Sequence, residues 1–206
     1  MHVKYWAKRM LLVICTAVTS GVALAQLSPE EILAQAQGRA DQIAEYRALL
    51  NNPDQNVRVA ALDVMLKSND PAMREIAFNL AFSSADDAMR AIALRNKMHY
   101  LKTLNFDLSV MENATENEVE VASERFANSY PLLIEGLDDS TGSISFSDSR
   151  ITGQINGIGM EFFHGGSGRT CSGELTLADG TAELSGTLNC SATSLKGNYN
   201  LKLRLQ

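Results

Sequence analysis

Cys171-Ser-Gly-Glu-Leu-Thr-Leu-Ala-Asp-Gly-Thr-Ala-Glu-Leu-Ser-Gly-Thr-Leu-Asn-Cys190 reads as two alternating runs joined by a turn. Side chains alternate across a strand, so Cys171, Gly173, Leu175 and Leu177 share one face of the first run. Leu184, Gly186, Leu188 and Cys190 share one face of the second. If both faces point inward and Cys171 lies opposite Cys190, then Leu177 faces Leu184, Leu175 faces Gly186 and Gly173 faces Leu188, so that large opposes small. That register needs the longer connection Asp179-Gly180-Thr181-Ala182, because a two-residue Asp-Gly turn would set the cysteines diagonally. The expected Cys171–Cys190 disulfide closes a loop of ~20 residues, worth about 3 kcal/mol in the chain-entropy picture.

Outward from this hairpin, the chain beyond about residue 102 keeps the same Gly, Ser and Thr-rich alternation. Strands are expected at about 104–111, 131–137, 143–148, 150–157, 159–164, 171–178, 182–190 and 197–205. A helix is expected over Thr115 to Asn128, with Glu118, Glu120 and Glu124 solvated. So many short strands at close spacing predict an antiparallel sandwich or a small barrel, with the sandwich preferred.

Before residue 102 the grammar is helical, with apolar residues recurring at three and four. Three segments align at a spacing of 16 residues, beginning at Asp54, Asp70 and Asp86. In register are Arg58, Arg74 and Arg90, then Ala61, Ala77 and Ala93, then Leu62, Phe78 and Leu94. Each Asp suits a helix N-cap, where it accepts from first-turn amides and meets the positive end of the dipole. Each Arg, one turn on, is placed to pair with its own capping Asp or with that of the next unit.

These residues resemble the HEAT-repeat family, whose helices stack in antiparallel pairs and whose second helix opens with Asp, a short gap, Val-Arg and an Ala-rich stretch. Asp54 to Lys67 and Asp86 to Met98 look like two such second helices, 32 residues apart, with Gln37 to Leu50 and Pro71 to Phe82 as the first helices. The resemblance covers about residues 37–98 and implies a surface for protein contacts without chemistry. Two repeats are fewer than the roughly three that stacking alone requires. The exposed end therefore needs a cap from the Ser28 to Leu50 helix, from the strand domain or from a partner.

The predicted architecture is α+β: residues 26–101 as HEAT-like antiparallel helical hairpins, followed by residues 102–206 as a β-sandwich or small barrel with one disulfide. Residues 1–25 carry the marks of an export signal. Lys4, Lys8 and Arg9 precede an apolar run, and Ala23-Leu24-Ala25 supplies small residues for cleavage before Gln26. The uncharged stretch from Met10 to Ala25 is only 16 residues, short for a bilayer that needs ~20. Ile14 ahead of Cys15 argues against lipid attachment there. Cleavage leaves Cys171 and Cys190 as an even pair, the usual state of an exported domain. It also leaves 15 basic against 24 acidic residues, a net charge of −9. That sign excludes ordinary nucleic-acid binding. The expected location is periplasmic or secreted.

No motif nominates a catalytic group, a cofactor or a metal. His164-Gly165-Gly166-Ser167-Gly168 resembles the oxyanion segment of some esterases, but no Gly-x-Ser-x-Gly elbow accompanies it. Asp138-Asp139-Ser140-Thr141-Gly142 lacks the spacing of a calcium loop. Loops carry binding more often than the elements they join, so Asp138, Asp139, His164, Ser167 and Arg169 are the candidate binding-loop residues. The reading is an exported, non-catalytic component that binds another envelope or secreted protein. The alternatives are a hydrolase using His164 and Ser167, or a small-ligand or lipid carrier in the β domain.

Overall fold

The computed structural model describes residues 28–166, 170–191 and 195–205, so the expected signal segment, Ser167 and Arg169 lie outside the described residues. The chain divides into two units, Met1–Arg39 and Ala40–Gln206. Helix α1 (Pro29–Leu50) begins in the first of these and ends in the second. Its start is a reciprocal cap: the Glu31 amide donates to Ser28 Oγ at 3.2 Å, and the Ser28 amide donates to Glu31 Oε2 at 2.8 Å. Pro29 takes the first helical position, where a missing N–H costs nothing.

The second unit continues with α2 (Gln55–Leu66), α3 (Pro71–Phe82) and α4 (Asp87–Met98). Asp54, Asp70 and Asp86 are their N-caps, accepting from Asn56, Ala72 and Ala88 amides at 2.8, 2.9 and 3.0 Å. A further column shares the 16-residue spacing: Asn52, Ser68 and Ser84 accept the amides of those same Asp residues at 2.9, 3.1 and 3.1 Å. Ala77, Ala93, Leu62, Phe78 and Leu94 are buried, as a helix seam requires.

The arginines do not pair as their spacing alone suggests. Arg58 meets Asp86, two units on, at 2.5 Å, and its Nη1 donates to the Asn52 carbonyl at 2.8 Å. Arg74 Nη1 donates to the equivalent carbonyl of Ser68 at 2.5 Å. The reason is reach: an arginine one turn into a helix comes back over the carbonyls that precede the cap. Arg90 breaks the series. It is buried, and it donates through Nη2 to the Leu177 carbonyl at 2.6 Å and through Nη1 to Asp87 at 2.9 Å and Asp179 at 3.0 Å.

Eight strands follow, each antiparallel to the next: β1 (Thr103–Val110), β2 (Ser129–Leu137), β3 (Ser143–Phe146), β4 (Ile151–Asn156), β5 (Gly159–His164), β6 (Cys171–Leu177), β7 (Glu183–Cys190) and β8 (Gly197–Arg204). Pairing of β1 with β8, from Asp107 opposite Lys202 to Val110 opposite Tyr199, closes them into a barrel. Of the two predicted β architectures, the small barrel is therefore the one formed. Inward–outward alternation is identical in a sandwich, and the closing pair joins residues too far apart in sequence for any local pattern to reveal it.

The β6–β7 register is Cys171 opposite Cys190, Gly173 opposite Leu188, Leu175 opposite Gly186 and Leu177 opposite Leu184. The Ser191 amide donates to the Thr170 carbonyl, and the Ala178 amide to the Glu183 carbonyl. Counting in twos from those bonded pairs makes Cys171–Cys190 a non-bonded pair, the closer kind. Its Cα atoms are 4.1 Å apart and the disulfide is formed.

The interior is filled by matching rings to glycines. Phe162 lies between Gly153 and Gly173 on its two neighbouring strands, and a Cβ added to Gly173 would stand 2.2 Å from the Phe162 ring. Phe162 contacts Phe106 and stacks on Tyr130, with ring centroids 5.5 and 5.7 Å away. Phe126 continues the cluster onto Tyr130 and Tyr199, each at 5.6 Å.

A meander gives the barrel two unlike ends. One carries the β2–β3, β4–β5 and β6–β7 connections, and α4 is anchored there. Besides Arg90, Arg95 donates to the Asp139 carbonyl at 2.8 Å and His99 Nε2 meets Asp139 Oδ1 at 2.8 Å. The other end carries the β1–β2, β3–β4 and β5–β6 connections and the disulfide.

Candidate functional site

The β1–β2 connection shapes the end away from α4. Thr115 and Glu118 form a capping box for the short helix α5 (Glu116–Glu120), and the chain then widens into a π-helical turn over Val121–Arg125. Glu118 is not the solvated carboxylate its neighbours suggest. It accepts from the Thr115 amide at 2.8 Å and the Asn198 amide at 3.0 Å, and these bonds hold its carboxyl below the usual range while pinning the segment to β8. Ala127 and Asn128 then adopt φ of 50° and 55°, the left-handed region that side chains disfavour. Two such residues in succession, directly after a π-helical turn, are features that gather at functional sites. They seat Phe126 on the aromatic cluster and place Arg125 beside the barrel mouth.

A cavity of about 490 Å³ opens there. Its apolar walls are Phe126, Pro131, Leu132, Leu133, Phe146 and Ile151. Its polar groups are Arg125, Ser129, Tyr130, Ser147, Asp148 and His164. Strand parity explains the inner ones: Tyr130 and Leu132 are inward positions of β2, Phe146 ends β3, Ile151 begins β4 and His164 ends β5. The volume lies within the ~300–1,000 Å³ usual for small-molecule sites, and apolar walls with a few convergent polar groups are their usual lining.

Within it, buried His164 and buried Tyr130 share a hydrogen bond of 2.7 Å between Nδ1 and Oη. Asp148 Oδ2 stands 3.7 Å from His164 Nε2. Asp148 is committed elsewhere: Arg150 donates to it through Nε at 2.9 Å, Nη2 at 2.6 Å and its amide at 3.0 Å. The Arg150 guanidinium holds the Asp148 carboxyl far below the ordinary carboxylate range. A nucleophilic relay needs a base held by a hydrogen-bonded third group, and 3.7 Å exceeds hydrogen-bonding distance. The arrangement suits orienting a bound molecule better than activating a nucleophile.

No protein family, curated protein or solved structure matches the chain.

The residues singled out from sequence are distributed over both ends of the barrel. Asp54, Arg58, Asp70, Arg74 and Asp86 serve the helices, and Arg90 fastens them to β6 and the turn beyond it. Asp138 caps its own turn, accepting from Ser140 and Thr141 amides, and Asp139 anchors α4, so the 138–142 loop is occupied by intramolecular contacts. His164 is brought to the mouth, but on a strand and facing in. Tyr130, Arg125 and Phe126 were not among the candidates. A parity count along β2 would place Tyr130 inside, whereas no sequence signal marks the left-handed pair that orients Phe126.

A second concavity, about 450 Å³, lies on the outer wall between β3 and β6, where Gln154, Glu161 and Glu174 meet Phe163. Among the described residues, no helix is long and apolar enough to cross a membrane, and no group of three or more His, Cys, Asp or Glu is placed to hold a metal ion.

Proposed function

We propose that the chain is an exported, non-catalytic binding protein whose barrel mouth takes a small molecule with an apolar body. The observation that carries this reading is the 490 Å³ mouth cavity, with one wall built by a backbone segment held in a disfavoured conformation. The buried rings of Phe106, Tyr130 and Phe162 pack on one another inside the barrel, so the ligand space of this carrier is placed at the mouth. The disulfide fits an oxidising compartment, consistent with export.

Nile red, a neutral apolar dye, tests the reading. Its fluorescence should rise on titration with the wild-type protein and stay low with Leu133→Glu, which charges an exposed wall residue that folding does not need buried. Equal enhancement by both proteins, or by neither, would remove the mouth as the site.

A second reading keeps the helices as a surface for another envelope protein, as the HEAT resemblance implies. Val57 and Val64, seven residues apart on one side of α2, are exposed and support it. Affinity capture from envelope extracts should retrieve a partner that Val64→Glu loses; retrieval unaffected by that change would count against this surface.

A further inference from the structure

The charges lining the mouth do not cancel, and their imbalance is opposite in sign to that of the chain as a whole. The full chain carries a net charge of −6. At the mouth, the one carboxylate in the lining, Asp148, is neutralised by its two-point contact with Arg150. His164 is engaged with Tyr130. Arg125 is left as the uncompensated charge. It is exposed at the end of the π-helical turn, and no hydrogen bond or ion pair engages its guanidinium among the described residues. Ser129 and Ser147 add hydroxyls to the same lining.

A guanidinium beside hydroxyl donors matches an anionic oxygen head, since its planar fork pairs with carboxylate or phosphate through two parallel N–H donors. Elsewhere in the lining, the side chains of Leu132, Leu133, Phe146 and Ile151 offer only hydrocarbon. A molecule that satisfies both is a single-chain amphiphile, its tail against the hydrocarbon and its head at Arg125. A cationic head would place like charges together. A neutral one would leave the guanidinium to water without loss and gain nothing from it.

We infer that the mouth selects anionic single-chain amphiphiles and that Arg125 is the residue that reads the head. The inference rests on the mouth being a small-molecule site. The titratable groups that line the cavity are Arg125, Asp148, His164 and Tyr130.

Three ligands of one tail and different head charge test it: dodecanoate, dodecanol and dodecylamine, each titrated calorimetrically below its micelle concentration near neutral pH. Dodecanoate should bind at least about tenfold more tightly than dodecanol, the effect of one charge-assisted contact of roughly 1.4 kcal/mol, and dodecylamine more weakly than either. Arg125→Gln should erase the dodecanoate advantage, leave dodecanol affinity unchanged and leave the melting temperature unchanged. Equal binding of all three, or a dodecanoate advantage that survives Arg125→Gln, would overturn the inference while the mouth site stands. If none of the three binds, the mouth itself is not a small-molecule site. Dodecyl phosphate in a parallel titration separates a carboxylate preference from a general anion preference.

Discussion

The helices α2–α4 and the barrel solve the same problem, burying apolar surface without stranding polar groups, by opposite means. In the helices the capping residues are satisfied within a few positions: Asp54, Asp70 and Asp86 by first-turn amides, Asn52, Ser68 and Ser84 by the Asp amides. In the barrel the deciding contacts cross from strand to strand, as where the Phe162 ring fills the space that Gly173 leaves and the Phe146 ring the space beside Gly153. Local satisfaction can be repeated, and the 16-residue period repeats it. Complementary volume cannot be repeated in this way, since each match of a ring to a glycine, Phe162 to Gly173 or Phe146 to Gly153, is made once. Arg90 is where the two systems meet, a repeat position diverted to the Leu177 carbonyl.

The sharpest way to break the contrast is to remove a glycine. A Cβ on Gly186 would lie 1.9 Å from the Glu174 carbonyl oxygen and 2.7 Å from Leu175 Cα, both backbone atoms of the paired strand. Gly186→Ala should cost about 3 kcal/mol or more in denaturant unfolding, or prevent folding. If it were tolerated like an alanine in a helix, volume matching would not be what specifies the barrel. Next in size is the disulfide. Replacing Cys171 and Cys190 together with serine should cost about 3 kcal/mol, because the closed loop spans a separation of 19 residues.

Arg90 should separate from its counterparts. Arg90→Met loses charge-assisted bonds to Leu177 and Asp179 across the helix–barrel contact, at about 2 kcal/mol. Hydrogen exchange should rise in residues 178–183 for Arg90→Met and not for Arg74→Met, whose bond to Ser68 stays within the helices. Equal exchange in the two variants would mean that the third arginine is only another repeat position.

These differences also explain what could be read from sequence. The Asp caps, the 16-residue period and the Cys171–Cys190 register depend on residues close in sequence or tied by parity, and each can be written down from the chain. Closure of β1 on β8 and the placement of His164 beside Tyr130 depend on strands brought together only by the whole barrel. The Asn52, Ser68 and Ser84 column was in plain view at the same spacing, but its residue type varies and its partner is a backbone amide.

Acid should act on both regions at once. Asp86, lowered chiefly by its bond from Arg58, belongs to the helices, and Asp148, lowered by Arg150, belongs to the barrel mouth. A carboxylate with a folded pKa below its unfolded value stabilises the fold above the unfolded value, near 3.9 for Asp, and that contribution is lost as pH falls through the folded one. Melting temperature should therefore stay level from pH 7 to about 5 and fall below about 4. Asp86→Asn should reduce the acid-dependent part. An unchanged profile in that variant would show that the Arg58 pair contributes nothing to it.

The smallest expected effect is a gain. Ala127 is exposed at φ 50°, where a non-glycine residue is disfavoured by about 1–2 kcal/mol, while glycine adds about 0.5–1 kcal/mol of unfolded-state entropy. Ala127→Gly should thus stabilise by a few tenths to about 1 kcal/mol. Its value lies in a second reading on the same protein. The neighbouring backbone is held by the Asn128 amide on the Ala122 carbonyl at 2.8 Å and the Leu108 amide on the Asn128 carbonyl at 2.9 Å. Between those anchors, alanine narrows the choice of conformations and keeps Phe126 and Arg125 at the mouth. If that restriction serves binding, Ala127→Gly will melt higher and take up Nile red more weakly. If it melts higher and binds equally, the left-handed pair is a tolerated cost of the turn and the mouth owes its shape to the strands alone.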